Sequence, residues 1–169
     1  SVGVIDQTLL PHRLIPRTLT RCDQAAEAIS TMVVRGAPLL GVTGAYGLML
    51  ALQDDASDAG LSQAFDRLNA SRPTAVNLRW ALERVRDVVQ PLPEADRAEA
   101  ARREAALIAD EDVAMCEAIG EHGLAQFRTL VEQRPSARQN EPFQVLTHCN
   151  AGWLATVDWG TALAPIYKA

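Results

Sequence analysis

Three stretches hold residue types whose spacing could do chemistry. The first, VVRGAPLLGVTGAYGL at residues 33–48, places Arg35, Gly36 and Ala37 just ahead of a run that carries Gly41, Gly44 and Gly47. From Gly36 to Thr43 it approaches the phosphate-cradling pattern GxxxxGK followed by Ser or Thr. Val42 stands where the lysine must be, however, and the run follows a helical pattern rather than a strand, so a P-loop is excluded. What remains is an arginine and a glycine at a helix start. Free N–H groups and the positive end of the dipole favour an anion there, and Arg35 supplies a forked donor. The alternative is a helix-helix contact beside a surface arginine, since glycines every third residue let another backbone come close.

The second stretch, NASRPTAVNLRWAL, sets Arg72 before Pro73 and another helix start. An arginine at a helix N-terminus opposes the dipole and gains nothing locally. A bound anion is one reason for it to be there, and a solvated loop is the other. Two arginines, each ahead of a helix start, fit one shared phosphate site. The third stretch, LTHCNAGWLAT, runs from apolar residues through Cys149 into small ones. A strand before Cys149 and a helix after it would set the thiol at a helix N-terminus, where the thiolate is stabilised. The phosphatase pattern HCx5R fails, because Ala155 stands in the arginine position, and neither His12 nor His122 sits in a papain-like partner motif. A buried, inert cysteine is the competing reading.

The elements that must position these residues are mainly helical. Val2–Ile5 and Leu14–Leu19, parted by Pro-His-Arg, suggest a small antiparallel pair. Helical spacing then runs from Asp23 to Val34, and Pro38 opens a second helix to about Gln53. A third helix is expected to end near Asn69. A fourth starts near Pro73 with Ala75, Leu78, Leu82, Val85 and Val89 on one face. Glu94 to about Gln133 favours helix, and Gly120 and Gly123 are expected to divide it in two. Arg134 to Pro142 reads as a loop and Phe143–His148 as a buried strand.

Composition fits a globular domain of ordinary make-up, with 48% hydrophobic and 22% charged residues. A net charge of −5 argues against nucleic-acid and anionic-membrane partners. No apolar run approaches the roughly 20 residues of a membrane span, and the opening residues do not read as a secretory signal, so a cytoplasmic location is expected. Three scattered cysteines and three scattered histidines give neither a disulfide framework nor a metal-ligand spacing, so no metal is expected.

Taken together, MVVRGAPLLGVTGAYGL, SRPTAVNLRWAL and LTHCNAGWLATVDWGTALAPIY, with SVGVIDQTLLPH ahead of them, resemble the N-terminal half of the methylthioribose-1-phosphate isomerases. These are aldose-ketose isomerases of methionine salvage, in a family shared with regulatory subunits of a translation-initiation exchange factor. The resemblance implies an α/β protein: an N-terminal antiparallel sheet and helical bundle at 1–140, then at 141–169 the first strand and helix of a Rossmann-like domain that binds no dinucleotide. The chain would stop just inside that catalytic domain, and a bare fragment would be inactive.

By the same resemblance Arg35, Gly36, Ala37 and Arg72 hold a sugar phosphate and Cys149 is the active-site cysteine. The proton-donating aspartate belongs to the C-terminal half of the same protein; Asp158 does not match its motif. No cofactor is implied, and a homodimer is. The alternatives are a ribose-1,5-bisphosphate isomerase, which would need a second anion pocket, and a non-catalytic regulatory subunit of the same fold.

Overall fold

The computed structural model describes residues 1–138 and 141–169. Two short strands, β1 (Val2–Ile5) and β2 (Pro16–Leu19), pair antiparallel with Val2 opposite Leu19 and Ile5 opposite Pro16. Proline is tolerated at that strand end because it lacks only a terminal ladder donor. The turn after β1 is organised by Asp6, whose Oδ1 accepts Thr8 Oγ1–H at 2.6 Å and Thr8 N–H at 3.1 Å. The Arg17 guanidinium reaches its other oxygen at 2.5 Å. Gln7 N–H donates to the Val33 carbonyl at 3.1 Å, which fastens this sheet to the helices.

Five helices build the bundle: α1 (Cys22–Ser30), α2 (Ala37–Asp54), α3 (Asp58–Ser71), α4 (Val76–Val89) and α5 (Glu94–Glu132). Helix α1 stops short of the predicted Val34. Met32 takes a left-handed φ of 61°, and Val34 N–H turns back to the Ala28 carbonyl at 3.1 Å, so Val33 and Val34 are buried in the turn instead. That reversal aims the chain into α2.

Helix α2 is apolar nearly all round, and such a helix belongs in the interior. It packs against α1, α3, α4 and α5. Its glycines make this possible: a Cβ at Gly41 would lie 2.9 Å from the Asn77 carbonyl oxygen, and one at Gly47 would lie 2.9 Å from Leu68 Cδ2. Leu78, Leu82, Val85 and Val89 of α4 are fully buried, as their spacing predicts; Ala75, just ahead of the helix, is half-buried, and Ala81 is fully buried as well. Just past the C-terminal ends of α2 and α4, buried Arg97 donates to the carbonyls of Ala56, Gln90 and Leu92 at 2.9, 3.1 and 3.0 Å. One side chain therefore closes the loops on either side of α3 and α4.

Two expectations are corrected. The stretch from Glu94 is one helix of 39 residues, unbroken at Gly120 and Gly123. Those glycines seat a short helix, α6 (Ala164–Lys168): a Cβ at Gly123 would lie 2.6 Å from Pro165 Cβ. Glycine here marks a contact rather than a break, and a 39-residue helix rich in Ala, Glu, Arg and Leu absorbs its cost of about 1 kcal/mol. Lys168 completes the seat, with Nζ 2.6 Å from Glu121 and 4.2 Å from the Trp159 ring centre.

The second correction is Phe143–His148, which is not a strand. The sheet of β1 and β2 is the only one among the described residues and lies elsewhere in the chain, so this segment has no ladder to join; Leu146 is 98% exposed. Accordingly the described architecture is a small antiparallel sheet on a helical bundle. Of the predicted loop at 134–142, residues 139 and 140 lie outside the described residues.

Candidate functional site at the helix N-termini

Gly41 of α2 rests on Asn77 and Ala81 of α4, and Gly44 rests on Leu78 and Leu82. Contacts that advance together along both chains mean the helices run side by side in the same direction. Their N-termini therefore lie at one end of the bundle, with Arg35 and Arg72 just ahead of them. Neither helix has a side-chain cap, and neither has an acidic residue in its first turn. The contrast is with α1, α3 and α5, which carry Asp23, Asp58, and Glu94 with Asp96 there. Uncapped first turns leave their N–H groups to solvent or to an anion, and the two dipoles add.

The predicted residues take distinct places at this end. Arg35 is half-buried in the turn between α1 and α2. Gly36 is the N-cap of α2, with φ of 103°, a conformation that a side chain rarely adopts. Ala37 is the first residue of α2 and is exposed. Arg72 follows α3, and its Nη1 is buried with no hydrogen-bond partner among the described residues. A buried donor left unmade costs about 1–3 kcal/mol, so an acceptor that arrives at Arg72 recovers that penalty. The glycine-contact reading of the first stretch holds, with Gly41 and Gly44 against α4.

Cys149 is exposed, so the buried, inert reading fails for it. Its φ of 69° is left-handed, unusual for a residue with a Cβ and a place where strain of about 1–3 kcal/mol is held. The expected strand and helix on either side are not formed. After Cys149 comes a single 3-10 turn at Trp153–Ala155, then a bend through Gly160, so no α-helix N-terminus sits at the thiol. The physical reason is the tight fold of the segment on itself. Thr161 N–H donates to the Ala151 carbonyl at 3.0 Å, and Thr156 Oγ1 donates toward the Asp158 carbonyl at 2.9 Å while accepting Gly160 N–H at 3.0 Å. Asn150, next to the cysteine, has a buried Nδ2 with no partner among the described residues; nothing in its spacing marked it in the sequence.

This loop and the first stretch touch. A Cβ on Gly36 would fall on the Ala155 Cα, 2.5 Å from its Cβ and 2.6 Å from its carbonyl oxygen. The structure thus brings the arginine-glycine turn against Ala155, in the loop that follows Cys149, at the N-terminal end of α2. The other two cysteines play a different part: burial pushes the thiols of Cys22 and Cys116 up to about 11. A cavity of about 460 Å³ lies between β1, α2 and Trp153–Val157, and none of Arg35, Gly36, Ala37, Arg72 or Cys149 lines it. A second, of about 290 Å³, is bordered by Pro38, Asn77, Trp80 and Asp112.

A family model described as the Initiation factor 2 subunit family matches residues 33–169. The chain belongs to the Initiation factor 2 subunit family. Among the relatives of this family member, methylthioribose-1-phosphate isomerase of Rhodospirillum centenum is 59% identical over 169 residues and that of Methylobacterium nodulans 61%. Both matches take in 100% of this chain but only 44% and 45% of the relatives, so the chain spans about half their length. Two solved structures share the fold. The translation initiation factor eIF-2B subunit delta of A. fulgidus superposes at TM-score 0.80, with 38% identity over 99% of this chain and 48% of that one. The 5-methylthioribose 1-phosphate isomerase of Pyrococcus horikoshii superposes at 0.79, with 34% identity over 98% and 46%. No described helix of this Initiation factor 2 subunit family member is long and apolar enough to cross a membrane.

Proposed function

We propose that this chain is part of a methylthioribose-1-phosphate isomerase, which converts 5-methylthioribose 1-phosphate to 5-methylthioribulose 1-phosphate in methionine salvage. The observation that carries the reading is the pair of uncapped, acid-free helix N-termini, each led by an arginine, with the Cys149 loop seated on Gly36. The identity of 59–61% to relatives of that name, over every residue of the chain, supports this substrate over the initiation-factor role. The initiation-factor subunit of A. fulgidus is 38% identical.

Phosphate on the anomeric carbon locks the sugar as a ring, so the enzyme must protonate the ring oxygen to open it and then move hydrogen from C2 to C1. In this reading the α2 and α4 N–H groups, with Arg35 and Arg72, anchor the phosphate and fix the sugar relative to the loop. Cys149 shares charge or a proton at the reacting carbons. The aspartate that protonates the ring oxygen is supplied by the C-terminal half of the polypeptide. In a Rossmann-like domain formed with that half, Phe143–His148 would gain its ladder partner, and the complete protein would work as a cytoplasmic homodimer.

The test supplies the full-length polypeptide with 5-methylthioribose 1-phosphate and, separately, ribose 1,5-bisphosphate, and follows the ketose. Turnover of the first, lowered on the order of 10²–10⁴-fold by Cys149→Ala, is the expected result. Turnover of the second alone assigns the neighbouring isomerase. Turnover of neither favours the regulatory-subunit reading.

A further inference from the structure

The loop that follows Cys149 is held against the bundle from two sides. On one side Ala155 lies on Gly36 at the start of α2. On the other, Val157 N–H donates to Asp112 Oδ2 of α5 at 2.8 Å, across 45 residues of sequence. Asp112 Oδ1 in turn lies 3.9 Å from Cys116 Sγ, one helical turn along the same face of α5. Cys116 is 1% exposed, and Thr156, the hub of the loop's internal hydrogen bonds, is also buried. A carboxylate in this half-buried setting bears a desolvation cost, which raises its pKa, and the Val157 N–H works against that rise. Core residues that only fill space do not carry such a cost, so the group is explained by what it holds.

We infer that Asp112 is a positioning residue for the isomerisation: from α5 it pins the Val157 end of the Cys149 loop and so fixes the thiol relative to the anion-binding end of α2. The inference rests on the proposed function for its catalytic consequence. Its structural content, that Asp112 keeps this loop closed over Cys116, stands apart from that reading. Asp112 touches no reacting atom in this scheme. Loss of its acceptor frees the loop, and phosphate anchoring is expected to change less, because Asp112 makes its hydrogen bonds with Val157 and Cys116 and not with the two arginines or the α2 and α4 N–H groups.

The variants are Asp112→Ala, Asp112→Asn and Asp112→Leu, the last preserving shape without an acceptor, all in the full-length polypeptide. With 5-methylthioribose 1-phosphate, the Ala and Leu variants are expected to lose roughly 10–100-fold in kcat, with KM within about 3-fold of the parent. Asp112→Asn keeps a carbonyl that accepts Val157 N–H and is expected to restore kcat to within about 3-fold. In parallel, iodoacetamide labelling mapped by peptide mass should show Cys116 protected in the parent and in the Asn variant, and modified at least about 10-fold faster in the Ala and Leu variants.

Unchanged kcat in Asp112→Leu, while Cys149→Ala is inactive, overturns the positioning role and leaves the isomerase assignment standing. A matching loss in the Asn variant also overturns it, since the role would then be one of charge. If the parent turns over neither sugar phosphate, the functional reading fails and labelling alone decides. Faster Cys116 modification confined to the variants without an acceptor supports the clamp, and equal protection in all of them refutes it.

Discussion

Replacing Gly36 by alanine tests the contact on which the site depends. Gly36 holds φ of 103° and ψ of 136°, where a side chain costs about 1–3 kcal/mol of backbone strain. The new Cβ would also meet Ala155, 2.5 Å from its Cβ and 2.6 Å from its carbonyl oxygen, and it would lie closer still to its Cα. Overpacking of this kind costs about 1–3 kcal/mol more, and no rotamer change relieves it because the obstacle is backbone. Together the two terms approach 2–6 kcal/mol. The loop is held by few ties, among them the Asp112–Val157 hydrogen bond, worth about 1.5–3 kcal/mol as a bond to a charged acceptor. Lifting the loop is therefore the cheaper response.

The expected outcome is a modest fall in the urea midpoint, equivalent to about 2–3 kcal/mol, because strain is shed by local undocking rather than carried in full. Cys116, which the loop covers, should become reactive to iodoacetamide in the native state. Ketose formation should fall in kcat on the order of 10²-fold, since displacement of a reacting group by about 1 Å has that effect. A second change, Ala155→Gly, removes only the Cβ and leaves the Cα and carbonyl oxygen in the way, so it should not rescue the first. A Gly36→Ala protein with an unchanged urea midpoint and a protected Cys116 would refute the reasoning. Full rescue by Ala155→Gly would show that the obstacle was one methyl group and not the backbone.

Leu82→Ala removes a fully buried side chain that packs on Gly44, and it should cost about 2–5 kcal/mol in urea unfolding with an unchanged slope. Arg97→Met strips three carbonyls of their donor and should cost about 2–3 kcal/mol, with faster amide exchange in the loops before α3 and after α4. Asp6 has its carboxyl pKa lowered, first by the Thr8 hydroxyl, with Arg17 helping and burial opposing. A lowered folded value means stability that is present above the ordinary carboxylate pKa and lost as pH falls through the folded one. The stability difference between the parent and Asp6→Asn should therefore narrow below about pH 4, the ordinary range for a free aspartate, and stay level from there to neutrality. At pH 8, native alkylation should modify Cys149 and spare Cys22 and Cys116, whose thiols burial holds at about 11.

How much of this was legible in the sequence follows from how local each cause is. The buried face of α4 was legible because a 3.6-residue period depends only on which residues recur, and the start of α2 was legible from Pro38. Gly120 and Gly123 were misread because glycine spacing says that something is absent, a side chain, and not whether the vacancy serves a turn or a neighbour. Here the neighbour is α6, about 40 residues downstream, with Pro165 against Gly123. Phe143–His148 shows the same limit from the other side. An apolar, β-prone run fixes a preference, but strand is a property of a pair, and no described residue offers it one.

At the site, Arg35, Arg72 and Cys149 stood out as residue types, yet the feature that most favours a ligand, a buried guanidinium nitrogen without an acceptor at Arg72, exists only once α3, α4 and their neighbours have closed around it. Asp112 was invisible for a related reason. Its partner is a backbone N–H, which every residue but proline possesses, so no side-chain pattern could have pointed from α5 to Val157. Gly36 and Cys149 are two of the places where the chain is left-handed; Gly36 is one end of the contact that joins the Arg35–Gly36 turn to the loop, and Cys149 precedes Ala155, the other end, in that loop. Strain held beside such a contact is expected where a geometry is kept for use, and the Gly36 and Asp112 variants free the loop from opposite sides.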